Sequence, residues 1–455
     1  MRVHLLGVGG AAMSALAHLY LERGDAVSGS DASSSAVTDA LAADGARIVI
    51  GHAAENLGDA ELVVTSTAIK EDNPELRAAR ARGIRVIHRG VAAAEFSSGH
   101  RVVAVAGTHG KTTTTTMTAV ALHLLDPLVL SGGRLPGSPY NSRPGRGPVA
   151  VVEADESDGS FLELTPEIGV VTNIEADHLD HYRDLNQIRL AFERFSARVS
   201  STLVACVDDD GARQLLQVAP SDVISYGFDD ADVQGADYRA HPVGCGFQVR
   251  SAWGDAEVRL PVTGKHNARN ALGAISVGLG LGQRLPLMLE ALAEVQLPGR
   301  RMELVAEVDG ARVYDDYGHH PTEVEATLSA AREMCTGRLV CAFQPHRYSR
   351  LLALMDGFAR AFGSADEVIL VPVYGAGEEP IRGADAGTLA ERIRAFDGTQ
   401  PVTVLDTLDD LPDALRRRLA AGDVAVCMGA GDIYKASRAL AANMTPPQAA
   451  PGDGG

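Results

Sequence analysis

Val102-Val103-Ala104-Val105-Ala106-Gly107-Thr108-His109-Gly110-Lys111-Thr112-Thr113 runs from an unbroken apolar stretch, through a glycine turn, into a threonine-rich segment that reads as a helix. Strand, glycine turn, Lys-Thr and helix is the arrangement that cradles a nucleotide phosphate. Backbone N–H groups of the turn and of the helix N-terminus point at the anion, with Gly107, Thr108, His109, Gly110 and Thr113 forming the cradle. Lys111 reaches the β/γ-phosphates and the Thr112 hydroxyl reaches Mg²⁺. The full eight-residue P-loop pattern is not met, because Val105 stands at its first glycine and only the compact G-x-x-G-K-T core is present. The chain contains four lysines (Lys70, Lys111, Lys265, Lys435) and otherwise uses arginine, so a lysine at 111 reads as a point charge that the position requires.

At 455 residues the chain exceeds one ordinary core, and about three α/β domains are expected. A net charge of −18 argues against wrapping nucleic acid or lying on an anionic membrane. The five cysteines are scattered and lack C-x-x-C spacing, which fits reduced, buried thiols in a reducing compartment. The N-terminus reads as a strand entering a glycine turn, with no signal-peptide pattern, and no apolar run approaches the ~20 residues that span a bilayer. A cytoplasmic protein without membrane insertion is the expectation.

Working outward, residues 1–97 open with strand Val3–Leu6, turn Gly7-Val8-Gly9-Gly10-Ala11-Ala12, a helix over Met13–Arg23 and a strand closing on Ser30-Asp31. This βαβ unit has G-x-G-x-x-A spacing followed by an acidic residue, a Rossmann-like nucleotide-diphosphate fingerprint in which the third glycine tolerates alanine. Residues 98–297 hold the phosphate turn, strands Arg101–Ala106, Val149–Glu153 and Ile168–Thr172, and a Gly/Pro/Ser/Arg-rich loop over Ser131–Pro148. Residues 298–444 start at the break Leu297-Pro298-Gly299 and alternate strands with helical stretches, a third α/β segment. Thr445–Gly455 is Pro/Gly-rich and reads as a disordered tail.

Chemistry-bearing clusters sit at the carboxyl ends of these strands, where α/β sheets bind ligands. Glu153-Ala154-Asp155-Glu156-Ser157-Asp158 packs four carboxylates into six residues, which is costly without a cation; Glu153, at the strand end, is the expected Mg²⁺ ligand. Thr172–His181 brings Asn, Glu, Asp and His to the same edge, with His178 able to bind or position a metal. In Gly264-Lys265-His266-Asn267-Ala268-Arg269-Asn270, Asn267 and Asn270 share a helix face that suits either an adenine edge or simple packing. Asp316 and His319 follow one strand and Arg347 another; Arg347 can hold a carboxylate bidentately, and Arg300 lies where it can meet a γ-phosphate.

Taken together, HLLGVGGAAMS, SGSD, STAIKEDNPE, AGTHGKTTTT, EADESD, TNIEADHLD, GKHNARNA, PGRRME, DDYGHHPTEV, FQPHRYSR, VYGAGEEPIRG and GAGDI occur in the order found in the Mur ligases of peptidoglycan synthesis, and the chain resembles that family over nearly its whole length. The resemblance implies three domains: an N-terminal Rossmann-like domain for the UDP-sugar, a central P-loop-type ATPase domain and a C-terminal Rossmann-like domain. It implies ATP and Mg²⁺ as cofactors and UDP-N-acetylmuramate and L-alanine as partners. The reaction implied is ATP-dependent addition of L-alanine to the lactyl carboxylate through an acyl phosphate. By the same resemblance Gly9, Gly10, Asp31 and Ser66 contact the UDP-sugar. Thr112 and Glu153 hold Mg²⁺ and His178 a second Mg²⁺, and His266, Asn267, Asn270 and Asp316 serve the nucleotide. Lys111, His178, Arg300, His319 and Arg347 carry the chemistry, with His319 and Arg347 also meeting substrate. No lysine lies between Lys111 and Lys265, so the carbamylated metal-site lysine of some members has no counterpart, which favours the alanine-adding branch. The competing readings are the recycling ligase that attaches a preformed tripeptide to UDP-N-acetylmuramate and a non-catalytic nucleotide-binding regulator.

Overall fold

The computed structural model describes residues 1–179 and 181–442; Asp180 of the DHLD run and the tail from Thr445 lie outside the described residues. The chain forms two compact units. One comprises Met1–Arg239, Cys245–Val262 and His266–Gly299; the other comprises the chain from Arg300 together with Ala240–Gly244 and Thr263–Lys265.

The first unit carries two sheets. Strands β1 (Arg2–Leu6), β2 (Ala26–Asp31), β3 (Arg47–Ile50), β4 (Leu62–Thr65) and β5 (Arg85–His88) form a five-stranded sheet in the order β3-β2-β1-β4-β5. All four pairings are parallel, so this is a doubly wound sheet. The order reverses beside β1, and the glycine turn leaves the carboxyl end of that strand.

The second sheet has ten strands. They are β6 (Arg101–Ala106), β7 (Leu128–Leu130), β8 (Ser142–Arg143), β9 (Val149–Glu153), β10 (Ile168–Val171), β11 (Thr202–Cys206), β12 (Asp222–Gly227), β13 (Val233–His241), β14 (Gly244–Ser251) and β15 (Ala256–Leu260). Their order is β15-β14-β13-β12-β11-β10-β6-β9-β7-β8, and β6 pairs in parallel with both β10 and β9. Along β6, Val102, Ala104 and Ala106 enter one core while Val103 and Val105 enter another. Burial on both faces is why this strand reads as an unbroken apolar run. The first of these cores also contains Leu5, Leu16 and Ile87, so residues on either side of position 97 share one interior.

Two features depart from the reading of the sequence. The stretch Ser131–Pro148 is not loop throughout, because β8 pairs antiparallel with β7. It is anchored on helix Ala11–Glu22: the Tyr140 ring stacks on His18 at 4.0 Å, and the Ser142 hydroxyl donates to the Ala15 carbonyl at 2.9 Å. Gly145 and Gly147 are there because a Cβ at either would strike the backbone of residues 125–128. The edge strands β13 to β15 were also not anticipated; β14 and β15 pair antiparallel and extend the sheet beyond its parallel part.

The second unit holds β16 (Glu303–Val308), β17 (Ala311–Asp316), β18 (Leu339–Phe343), β19 (Glu367–Leu370), β20 (Val402–Val404) and β21 (Val424–Met428), ordered β16-β17-β21-β18-β19-β20. The β16–β17 pair is antiparallel and the other pairings of this sheet are parallel. Among the described residues no helix is long and apolar enough to cross a membrane.

Candidate active site

The phosphate turn is built as the spacing predicts. Strand β6 ends at Ala106, Gly107 turns the chain at φ +135°, and Gly110 caps helix Lys111–Ala121 in the left-handed conformation at φ +80°. Both glycines are required by the backbone and by crowding: a Cβ at 107 would run into the Thr172 hydroxyl, and one at 110 into the Asn270 amide oxygen. Asn173 pins the turn from β10's side. Its carbonyl accepts from the Thr108 N–H at 3.0 Å, and its side-chain oxygen accepts from the His109 N–H at 2.8 Å. The Thr172 hydroxyl and the Asn173 amide both donate to the His109 carbonyl, at 2.6 and 3.0 Å. The amides of Thr108 and His109 are therefore committed to Asn173, and the amides of the helix's first turn, which have no intrahelical acceptor, are the donors that could take an anion.

Lys111 points back over this turn. Its ammonium donates to the carbonyls of Gly107 (2.6 Å) and Thr108 (3.0 Å) and to the Glu156 carboxylate (2.9 Å). Burial opposes its charge, but the neighbouring carboxylates, Glu156 foremost, outweigh burial and hold its pKa above the ordinary value. The Thr112 hydroxyl donates to Glu153 Oε1 at 3.0 Å, and Glu153 Oε2 accepts from the Gly132 N–H at 2.5 Å. Burial raises the pKa of Glu153, and it pushes Glu156 up to about 7 despite Lys111. Two carboxylates that resist ionisation, Glu156 buried and Glu153 half-buried, are short of positive charge beside one lysine. Oxygen donors in that setting fit Mg²⁺. Glu156, unlike Glu153, stands at no strand end, and its only signal in the sequence is its place in the acidic run.

His178 lies 3.6 Å from Glu156 Oε1 and 3.7 Å from Asp177 Oδ2. Its backbone is left-handed, at φ +51°, as are Arg300 at +60° and Arg347 at +65°. Such conformations are uncommon outside glycine and cost energy that the surroundings must supply, and they gather at functional sites. Asn270 is buried and accepts from the Thr114 hydroxyl at 3.2 Å, while its amide faces the Asn267 oxygen at 3.4 Å. Both asparagines thus lie on one helix face turned towards the phosphate helix. His266 begins that same turn and is half-buried.

In the N-terminal sheet the Gly9 N–H donates to Asp31 Oδ2 at 2.9 Å, and the Gly7 and Val8 amides donate to the Ser30 carbonyl. The Gly10 N–H bonds the Gly7 carbonyl at 3.0 Å, closing the turn on itself. Asp31 therefore sits on the glycine turn. Ser66 follows β4 at the same sheet edge. Beneath this edge lies Glu75, which the sequence reading did not single out. It is fully buried and accepts from Ser30 Oγ (2.6 Å), Asn56 Nδ2 (2.6 Å) and the Ala53 N–H (3.1 Å), with His4 Nε2 at 3.1 Å. Burial disfavours its charge, but these bonds outweigh it and draw its pKa down to about 2.

In the second unit Arg300 is held firmly. Its Nε lies 3.1 Å from Asp315 Oδ2, a second nitrogen donates to the Gly429 carbonyl at 2.6 Å, and the guanidinium lies over the rings of Tyr317 and Tyr434. Asp316 is buried, accepts from the amides of Gly318 (2.8 Å) and Met302 (2.9 Å), and has its pKa raised by burial. His319 Nδ1 lies 3.0 Å from the Tyr317 carbonyl and 3.3 Å from Glu323, and its ring faces His346 at 5.9 Å. Arg347 donates its N–H to the Tyr374 carbonyl at 2.8 Å, and its guanidinium lies 3.8 Å from Glu378. The carboxyl ends of β17 and β18 thus bring His319, His346 and Arg347 together.

Comparison with known proteins agrees with this arrangement along the chain. Residues 2–101 match the model "Mur ligase family, catalytic domain", residues 105–278 "Mur ligase middle domain" and residues 300–431 "Mur ligase, glutamate ligase domain". The chain is 45% identical over 446 residues to the UDP-N-acetylmuramate–L-alanine ligase of Pelotomaculum thermopropionicum, covering 95% of each. It is likewise 45% identical to the ligase of that name from Symbiobacterium thermophilum, covering 97% of this chain and 94% of the relative. Among solved structures, the UDP-N-acetylmuramate-alanine ligase of Thermotoga maritima superposes with a TM-score of 0.83 at 30% identity, over 97% of this chain and 98% of that one. A murein peptide ligase of Psychrobacter arcticus gives 0.73 at 25% identity, over 98% and 100%. With all three domain models in order and relatives at this identity over nearly its full length, the chain belongs to the Mur ligase family.

Proposed function

We propose that this chain is an ATP-dependent ligase that adds L-alanine to the lactyl carboxylate of UDP-N-acetylmuramate in peptidoglycan precursor synthesis. The observation that carries the reading is the pairing of Lys111 with Glu156 and of Thr112 with Glu153 at one glycine turn, in a chain 45% identical to ligases named for that reaction.

A carboxylate is a poor electrophile, so amide formation needs a leaving group. The lactyl carboxylate attacks the γ-phosphorus, the bond to the ADP oxygen breaks, and an acyl phosphate forms. The alanine amine then attacks the acyl carbon, a proton leaves the nitrogen, and phosphate departs. Lys111 and the first-turn amides of its helix bind the phosphates and offset charge on the transferring group. Thr112 and Glu153 would hold Mg²⁺ and His178 a second Mg²⁺, which when bound would neutralise phosphoryl charge. Gly9, Gly10, Asp31 and Ser66 take the UDP-sugar, while His266, Asn267, Asn270 and Asp316 serve the nucleotide. Arg300 adds positive charge for the γ-phosphate, Arg347 takes the amino-acid carboxylate, and His178 and His319 are the two candidates for the group that accepts the amine proton. The domain extents that accompany this reading are 1–97, 98–297 and 298–444, in a cytoplasmic enzyme.

The test is release of phosphate from ATP with UDP-N-acetylmuramate and either L-alanine or the tripeptide as acceptor. Release that requires L-alanine supports the reading. Release with the tripeptide alone replaces it with the recycling ligase, and no release with either leaves a nucleotide-binding regulator.

A further inference from the structure

The acidic segment Glu153–Asp158 is gripped from two directions. On one side Glu153 takes the Thr112 hydroxyl and Glu156 takes the Lys111 ammonium. On the other, a single guanidinium from the N-terminal sheet's side of the unit spans the remaining two carboxylates. Arg89 lies 2.8 Å from Asp155 Oδ2 and 2.7 Å from Asp158 Oδ2, and its Nε also donates to Asp158 at 3.3 Å. Arg89 opens helix Arg89–Ser97, directly after β5, and is largely buried. Two neighbours tighten the same joint: Thr67, next to Ser66, donates to Asp158 at 3.4 Å, and a Cβ at Gly90 would collide with the Ser160 side chain.

Charge makes this grip functional as well as structural. Four carboxylates in six residues repel one another. Lys111 and Arg89 pair with them at 2.9 Å and at 2.8 and 2.7 Å. Lys111 is committed to Glu156 and to the Gly107 and Thr108 carbonyls, so Arg89 is the cation that balances Asp155 and Asp158 at the other end of the segment. Arginine suits this position because its planar guanidinium presents donors in a fixed fork, which a flexible lysine ammonium lacks.

We propose that Arg89 is a positioning residue of the ligation site, which acts through Asp155 and Asp158 to couple occupancy of the UDP-sugar domain to the order of Glu153 and Glu156 beside Thr112 and Lys111. The proposal rests on the ligase reading above. It predicts positive coupling between the two ligands, because whatever steadies Arg89 and Thr67 steadies one end of a segment whose other end is the nucleotide site.

The experiment is calorimetric titration of the full chain with the β,γ-imido analogue of ATP plus Mg²⁺, with and without saturating UDP-N-acetylmuramate, on wild type, Arg89→Lys and Asp158→Asn. Wild type is expected to bind the analogue about fivefold or more tightly when the sugar nucleotide is present. In Arg89→Lys and Asp158→Asn the two affinities should agree within about twofold while each ligand alone still binds, a pattern that a merely destabilised protein does not give. Equal affinities in wild type, or wild-type coupling retained in both variants, would overturn the proposal. Failure of the ligase reading is separate: it appears as wild type that gives no alanine-dependent phosphate release, whatever the calorimeter records.

Discussion

The Lys111 ammonium and the buried Glu156 carboxylate lie 2.9 Å apart at the mouth of the glycine turn, with Lys111 itself partly exposed. The pair holds the lysine over the Gly107 and Thr108 carbonyls, within reach of any phosphate that the helix's first turn accepts. With Lys111 in the proposed role of offsetting charge on the transferring phosphoryl group, Lys111→Ala should lower turnover by about 10³-fold or more. UDP-N-acetylmuramate affinity by calorimetry should stay within about twofold. Equal loss of both would contradict the division of binding between the two sheets.

Arg347 is assigned to the amino-acid carboxylate. Arg347→Ala should raise the apparent KM for L-alanine by about tenfold or more, the cost of a lost charge-assisted pair, and should change the KM for ATP much less. Initial rates over a matrix of both substrates decide it, and an unchanged alanine KM removes Arg347 from that role.

Gly107 cannot accept a side chain. At φ +135°, with the Thr172 hydroxyl in the path of a Cβ, Gly107→Ala must displace β10's exit or reshape the turn. A loss of about 2 kcal/mol or more in denaturant unfolding is expected, together with loss of nucleotide binding. The steric part of that loss can be measured by itself: adding Thr172→Ala to the Gly107→Ala background removes the hydroxyl and should return part of the stability.

Glu75 gives the N-terminal sheet an acid-sensitive centre. Its carboxyl ionises at about 2 in the folded protein against 4.5 ordinarily. A depressed pKa lends stability that is complete above the ordinary value and is lost as pH falls through the folded one. Glu75→Gln should therefore flatten the acid limb of the stability-against-pH curve in that window, measured by thermal unfolding at a series of pH values. An acid limb as steep as that of wild type would show that other carboxylates set it.

Much of this was legible in the chain. The run Val102–Ala106 has no polar interruption because both its faces are covered, and it was therefore readable as a buried strand. Gly107 and Gly110 mark the turn because the backbone needs glycine there, which is a local requirement that sequence displays. Arg89 was invisible for the opposite reason. Its partners Asp155 and Asp158 are 66 and 69 residues away, and nothing local distinguishes it from a surface arginine. Glu75 was hidden in the same way, since its partners His4, Ser30, Ala53 and Asn56 come from separate parts of the chain. The short strand Ser142–Arg143 was lost in a glycine- and proline-rich stretch, because its place is fixed by Tyr140 and Ser142 docking on a distant helix rather than by its own pattern.

At the centre of the proposed activity, cleavage of ATP to ADP and phosphate is coupled to joining one alanine to UDP-N-acetylmuramate. Phosphate release should be followed with wild type, ATP, Mg²⁺ and UDP-N-acetylmuramate, with L-alanine present or omitted, and the sugar nucleotide weighed by mass spectrometry. Release is expected only when L-alanine is present, with a product heavier by one alanyl residue. Release with a tripeptide and none with L-alanine would contradict it.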